Sequence, residues 1–233
     1  MAEVSLRSAE PENEILIADV LICGICDSGK TTLLSQLISG KAVQTYTSMT
    51  HNKMTFPVEN KDSVELVDVP GHERVRAQIL DTFSGSARAL IFMVDSNTVS
   101  KQIRDVAECL HSILSQKIIS KNRLAILSLL MFSALTNISS PPLLILCNKQ
   151  DADLAKGSAA VQNLLEKEIE KVRMTRSNQL AGIEGEDSGV IFIGKEGKPF
   201  EFKDLPAEVQ FEESSALDLE TLAGVRSWIC SKA

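Results

Sequence analysis

Gly24-Ile25-Cys26-Asp27-Ser28-Gly29-Lys30-Thr31 satisfies G-x-x-x-x-G-K-[ST] at every fixed position. The glycines let the backbone curl, so that successive N–H groups face phosphate oxygens. Residues 15–23 (ILIADVLIC) form an apolar, β-branched run that reads as a buried strand feeding this loop. Residues 30–39 follow as a helix with Leu33, Leu34, Leu37 and Ile38 on one face. The positive N-terminal end of that helix adds to the phosphate site. Lys30 supplies a point charge to the outer phosphates, and Thr31 offers a hydroxyl to Mg²⁺. Asp27, Ser28 and Thr32 are expected beside Gly24, Gly29, Lys30 and Thr31 around the phosphates.

Outward from the loop, strands alternate with helices. Residues 64–69, 89–95 and 143–147 read as further buried strands, and Val209 and Phe211 mark another apolar segment. Residues 101–118, 158–173 and 220–231 read as helices. This alternation predicts an α/β domain with a parallel sheet covered on both faces. A polar tail (residues 1–14) would precede one domain over 15–233. Two stretches interrupt the rhythm. Residues 174–204 are polar and Gly-rich and read as a long loop, while 123–138 are almost wholly apolar. The uninterrupted apolar core of the latter, Leu124–Leu135, is shorter than the ~20 residues a membrane helix needs.

Leu66-Val67-Asp68-Val69-Pro70-Gly71-His72-Glu73 puts a carboxylate at the carboxyl end of a buried strand. That is where an open α/β sheet has its ligand crevice. Asp68 is expected to hold Mg²⁺ through its water shell, and the Gly71 N–H to bond a γ-phosphate. His72 is the candidate catalytic residue, an imidazole able to orient an attacking water; the alternative is a surface contact with a partner.

Asn148-Lys149-Gln150-Asp151 follows the strand at 143–147 directly. A carboxylate at Asp151 accepts two hydrogen bonds from guanine N1 and N2. Adenine has no matching donor pair, and a buried unpaired charge costs about 2–5 kcal/mol. The Lys149 stem can lie along the ring. Ser214-Ser215-Ala216 stands where a backbone N–H can reach the guanine oxygen, so Ser215 and Ala216 join the base site. Between the first helix and the second strand, Thr47 is the expected Mg²⁺ ligand of a segment that orders only with the γ-phosphate, with Thr45 and Thr50 as alternatives. The cofactors implied are GTP or GDP with Mg²⁺. A nucleotide kinase or ATPase is disfavoured by the base motif.

The net charge of -7 argues against nucleic acid as a direct partner, because nucleic acid rewards a basic surface. Five cysteines are too few for a disulfide scaffold and fit a reducing compartment. Cys23 and Cys26 form C-x-x-C, but both sit where a strand enters the phosphate loop, so a redox pair is not expected. Cys230 stands at a prenylation position without an aliphatic pair after it and reads as a helix-end cysteine.

These motifs resemble the Arf-like branch of small GTPases. More narrowly, they resemble the β subunits of the signal recognition particle receptor. The narrower likeness rests on Cys26–Thr31, Thr47-Ser48, Asp68–Glu73, Asp105–Glu108, Cys147–Asp151, Thr175–Ser177 and above all Gly194-Lys195-Glu196-Gly197-Lys198-Pro199-Phe200-Glu201-Phe202 with Leu205-Pro206. It implies a P-loop GTPase of Ras/Arf type with a mostly parallel six-stranded sheet flanked by helices. It implies a switch on the cytosolic face of the endoplasmic reticulum membrane that holds the receptor's α subunit when GTP is bound. Ribosome or translocon would be more distant partners. The family's N-terminal membrane helix has no counterpart in residues 1–14, which are polar and acidic, and the apolar stretch 123–138 is additional to the family pattern. A coat-recruiting, vesicle-trafficking GTPase is the alternative. Hydrolysis is expected to be slow, on the order of 10⁻⁴ per second without a positioned arginine. The partner surface is expected around 44–56 and 70–78, with Tyr46, Met49, Met54 and Phe56 apolar and Arg74 and Arg76 as anchors.

Overall fold

The computed structural model describes residues 19–41, 50–58, 63–83, 87–115, 140–181 and 192–232, with side chains of the long helix described to Ser177. The expectations for Thr45, Tyr46, Thr47, Ser48, Met49, the tail 1–14 and the apolar stretch 123–138 lie outside these residues.

Among the described residues six strands form one sheet. They are β1 (Val20–Gly24), β2 (Asn52–Phe56), β3 (Val64–Asp68), β4 (Ala89–Asp95), β5 (Leu143–Asn148) and β6 (Val209–Glu213). Their order is β2-β3-β1-β4-β5-β6. β2 runs antiparallel to β3, and every other pairing is parallel. The helices are α1 (Lys30–Ser39), α2 (Glu73–Phe83), α3 (Val99–Leu114), α4 (Ser158–Ala181) and α5 (Ala223–Lys232).

Side-chain alternation along each strand divides the core into two layers. Leu21, Cys23, Leu90, Phe92, Leu143 and Ile145 point to one face, where α2, α3 and α4 bring Leu80, Phe83, Val106, Leu110, Val161 and Leu165. Val20, Ile22, Ile91, Met93, Leu144 and Leu146 point to the other, against Leu33, Leu34 and Leu37 of α1 and Val225, Trp228 and Ile229 of α5. Each fully buried leucine contributes about 2 kcal/mol. The α1 leucines therefore fix the helix whose first residue is Lys30. With both faces covered, the central strands must be apolar throughout, which is why β1, β4 and β5 read as unbroken runs.

Several boundaries differ from the expectations. Helix α4 runs to Ala181, so the segment expected as loop from 174 begins as helix. The loop reading rested on the polar, Gly-rich composition of 174–204 as a whole, whereas 174–181 contain no glycine and continue the helix. The remainder, 192–207, carries a single 3₁₀ turn at Phe202–Asp204 and no strand. Phe200 and Phe202 plug it into the core in edge-to-face contact, at 5.2 Å. Helix α3 ends at Leu114 with Ser115 bonded to the His111 carbonyl, and the 116–118 portion of the expected helix lies outside the described residues. Cys230 is half-buried near the end of α5. Among the described residues no helix is long and apolar enough to cross a membrane.

Candidate functional site

The loop after β1 departs between β3 and β4, where successive crossovers leave the sheet in opposite directions. Such a point opens a crevice at the carboxyl ends of the strands. Gly24 has φ +146° and Gly29 φ +96°, conformations that side chains disfavour. Neither position has room for a Cβ. At Gly24 it would sit 2.6 Å from the Met93 carbonyl oxygen, and at Gly29 it would collide with the Asn148 amide. Asp27 also has positive φ, at +61°.

Lys30 is 7% exposed, and its ammonium donates to the Ile25 carbonyl at 2.6 Å. Burial pushes this lysine below its ordinary range, and the Asp68 carboxylate works against that push. A buried, incompletely neutralised cation is stabilised by an incoming anion. The Thr31 hydroxyl donates to Asp68 Oδ2 at 2.6 Å. Asp68 Oδ1 is buried and has no hydrogen-bond partner. An orphaned carboxylate oxygen beside a threonine hydroxyl fits Mg²⁺, which is commonly held by one or two protein oxygens with phosphate and water supplying the rest. Thr32 is half-exposed one position further along α1, and Thr50 is exposed.

Gly71 follows the buried Pro70 and packs on the phosphate loop itself. A Cβ at Gly71 would lie 2.6 Å from the Cys26 amide nitrogen and 2.9 Å from its Sγ. His72 is exposed, and its carbonyl accepts the first helical bond of α2 from Arg76 N. Two residues of the expected partner surface are not on the surface. Phe56 is 2% exposed and belongs to the α1 layer of the core. Arg76 is 7% exposed and donates to the Gly71 carbonyl at 2.8 Å, closing the loop on itself. Met54 and Arg74 are exposed as expected. Cys23 is buried, with its thiol held above the ordinary range by burial, whereas Cys26 is exposed, and both are free.

At the far end, Asn148 joins three loops. Its Nδ2 donates to the Ser28 carbonyl at 2.8 Å, and its Oδ1 accepts from Ala216 N at 2.8 Å. The Ala216 amide, one of the backbone N–H groups of the tripeptide expected to reach a guanine oxygen, is engaged by Asn148, so a base using it would have to share that N–H. The Ser215 hydroxyl donates to Asp151 Oδ1 at 2.6 Å. Lys149 has φ +64°, and its ammonium is 2.8 Å from Asp95 Oδ2. The sequence-predicted residues Gly24, Gly29, Lys30, Thr31, Asp68 and Gly71 thus meet at one place, and Asn148 connects them to Asp151, Ser215 and Ala216. Asp95 and Gln150 were not expected as site residues. Asp95 carries the same signal as Asp68, a carboxylate ending an apolar strand.

Sheet order, crevice and loops together define a P-loop GTPase fold of the Ras/Arf type. Comparison with known proteins narrows this. The family model for the signal recognition particle receptor beta subunit matches residues 17–130 and 129–209. The mouse signal recognition particle receptor subunit beta is 41% identical over 199 residues, 84% of this chain and 68% of that protein. The structure of the mammalian receptor superposes with a TM-score of 0.71 at 38% identity, covering 92% of this chain and 100% of that one. The Chaetomium thermophilum receptor SRb with GDP and Mg shares the fold at 22% identity, TM-score 0.62, over 93% of this chain and 99% of that one. This chain belongs to the signal recognition particle receptor beta subunit family.

Proposed function

We propose that the chain is the GTP-binding subunit of a signal recognition particle receptor and that its GTP form selectively holds the receptor's α subunit, for co-translational targeting to the endoplasmic reticulum. The observation that carries this reading is the convergence, in a member of this family, of a phosphate loop, Asp68 with its partnerless buried oxygen and a guanine-type loop at the carboxyl ends of the strands. In this reading Gly24, Asp27, Ser28, Gly29, Lys30, Thr31 and Thr32 hold the phosphates. Asn148, Lys149, Asp151, Ser215 and Ala216 hold guanine. Thr31, Thr47 and Asp68 hold Mg²⁺, which when bound neutralises charge between the outer phosphates.

The chain's own residues supply the switch. Gly71 lies on the Cys26 backbone, so a γ-phosphate accepting from its N–H ties the 70–78 segment to the loop. The output is partner affinity, with His72 affecting a slow turnover. The location is the cytosolic face of the endoplasmic reticulum membrane, with ribosome or translocon reached through the receptor. The test is the affinity of the receptor α subunit's N-terminal domain for this chain loaded with a non-hydrolysable GTP analogue and with GDP. Strong preference for the first supports the switch; equal affinities leave a constitutive scaffold instead.

A further inference from the structure

Asp95 ends β4 directly opposite Asn148 of β5. Its side chain is 9% exposed and every described contact is directed. Oδ1 accepts from the backbone N–H of Asn97 at 2.9 Å and of Thr98 at 3.2 Å. Oδ2 accepts from the Lys149 ammonium at 2.8 Å. The next residue extends the support. Ser96 N donates to the Asn148 carbonyl at 3.0 Å, its carbonyl accepts from Lys156 N at 3.0 Å, and its hydroxyl accepts from Gln150 Nε2 at 3.1 Å. Gln150 also donates to the Lys156 carbonyl at 3.0 Å. The end of β4 is therefore a shelf under residues 148–150.

We propose that Asp95 is a positioning residue for the purine end of the nucleotide, acting through Lys149. The inference rests on the reading of residues 148–151 as the guanine pocket. A lysine stem is flexible, and ordering it on a ligand costs affinity. Lys149 starts from a left-handed backbone and is tethered at its tip, so both ends of the stem are fixed before a base arrives. The carboxylate is itself oriented by two backbone amides and does not follow the lysine. Burial alone would raise the Asp95 carboxyl, but its hydrogen bonds with Lys149 and Thr98 outweigh burial and hold it below the usual range, so it stays charged.

Asp95→Asn separates tethering from folding. The carboxamide oxygen keeps the two backbone amides, while its NH₂ faces the Lys149 ammonium, donor against donor. GTP and Mg²⁺-tripolyphosphate are each competed against a fluorescent GTP analogue on the parent, Asp95→Asn, Lys149→Ala and the double variant. Immobilising one long side chain is worth roughly tenfold in affinity. Asp95→Asn is expected to weaken GTP by about that factor, to leave tripolyphosphate unchanged, and to cost nothing further in the Lys149→Ala background. An equal loss for tripolyphosphate, an equal loss on top of Lys149→Ala, or no loss for GTP overturns the proposal. A parent that does not bind GTP overturns the guanine-pocket reading itself, and the role of Asp95 with it.

Discussion

The Asn148 side-chain amide donates to the Ser28 carbonyl at 2.8 Å, across 120 residues of sequence. The phosphate loop and the base loop are one structural unit through this bond, with Ala216 N closing a third side on Asn148 Oδ1. All of these groups are buried, so the cost of losing Asn148 includes the polar atoms it leaves behind.

Asn148→Ala strands the Ser28 carbonyl and the Ala216 amide. Each stranded buried group costs about 1–3 kcal/mol. Ligand-free thermal or urea unfolding should show a loss of about 2–6 kcal/mol before any nucleotide is added. A variant as stable as the parent would mean that the loops hold each other without this residue.

Guanine selectivity is expected to rest on Asp151. The Ser215 hydroxyl already donates to its Oδ1, so Asp151→Asn can keep that acceptor and present its NH₂ to the base. Xanthine offers an oxygen where guanine offers an amine. Competition binding should show GTP affinity falling by at least ~100-fold, from about 3 kcal/mol of lost charge-assisted bonding, while xanthosine triphosphate gains. Unchanged GTP affinity would move the base elsewhere.

What the sequence disclosed depended on how each residue meets its surroundings. Strands buried on both faces leave unbroken apolar runs, so β1, β4 and β5 were legible from Leu21, Ile91 and Ile145 outward. β2 was not read as a strand. It is an edge strand whose middle residues, Lys53, Met54 and Thr55, are exposed, and only Phe56 is buried. α2 was obscured because its buried stripe, Arg76, Leu80 and Phe83, begins with a charged residue. Gly24 and Gly29 are motif residues because backbone geometry admits few substitutes there. Asp95 ends an apolar strand as Asp68 does, but Ser96 and Gln150 reach the site only through hydrogen bonds to other residues, which the sequence does not display.

Acid should weaken the α3–α4 packing through His111. This histidine is 2% exposed and bonded to Ser115 Oγ at 3.2 Å. Burial first, then the cations of Arg176 and Arg173, pull its pKa from 6.5 down to about 4. The unfolded chain therefore binds this proton at a pH where the folded chain does not. The stabilisation is present above about pH 6.5 and is lost as pH falls towards 4, amounting to on the order of 2–3 kcal/mol. Urea unfolding of the parent and His111→Gln between pH 7 and 4 measures it. The difference between the two should shrink on acidification; a constant difference would show that folding leaves the His111 pKa unshifted.

The contact between Gly71 and the phosphate loop makes the last prediction specific to the switch. A methyl at Gly71 would lie 2.6 Å from the Cys26 nitrogen, 2.9 Å from its Sγ and 2.9 Å from the Ile25 carbonyl carbon. The obstruction is mostly backbone, so the loop cannot yield by turning a rotamer. The 70–78 segment must move instead, taking the Gly71 amide with it. GDP has no γ-phosphate to miss that amide. Gly71→Ala should therefore lower affinity for a non-hydrolysable GTP analogue while GDP affinity holds, narrowing their ratio by roughly tenfold, the worth of one charge-assisted hydrogen bond of ~1.5 kcal/mol. A partner can exploit only the differential stability of two states, so its preference for the GTP form must shrink with that ratio. Titrating the receptor α-subunit domain against both nucleotide forms of the variant tests this. Full discrimination by the partner in Gly71→Ala would mean that the γ-phosphate is sensed elsewhere in the chain.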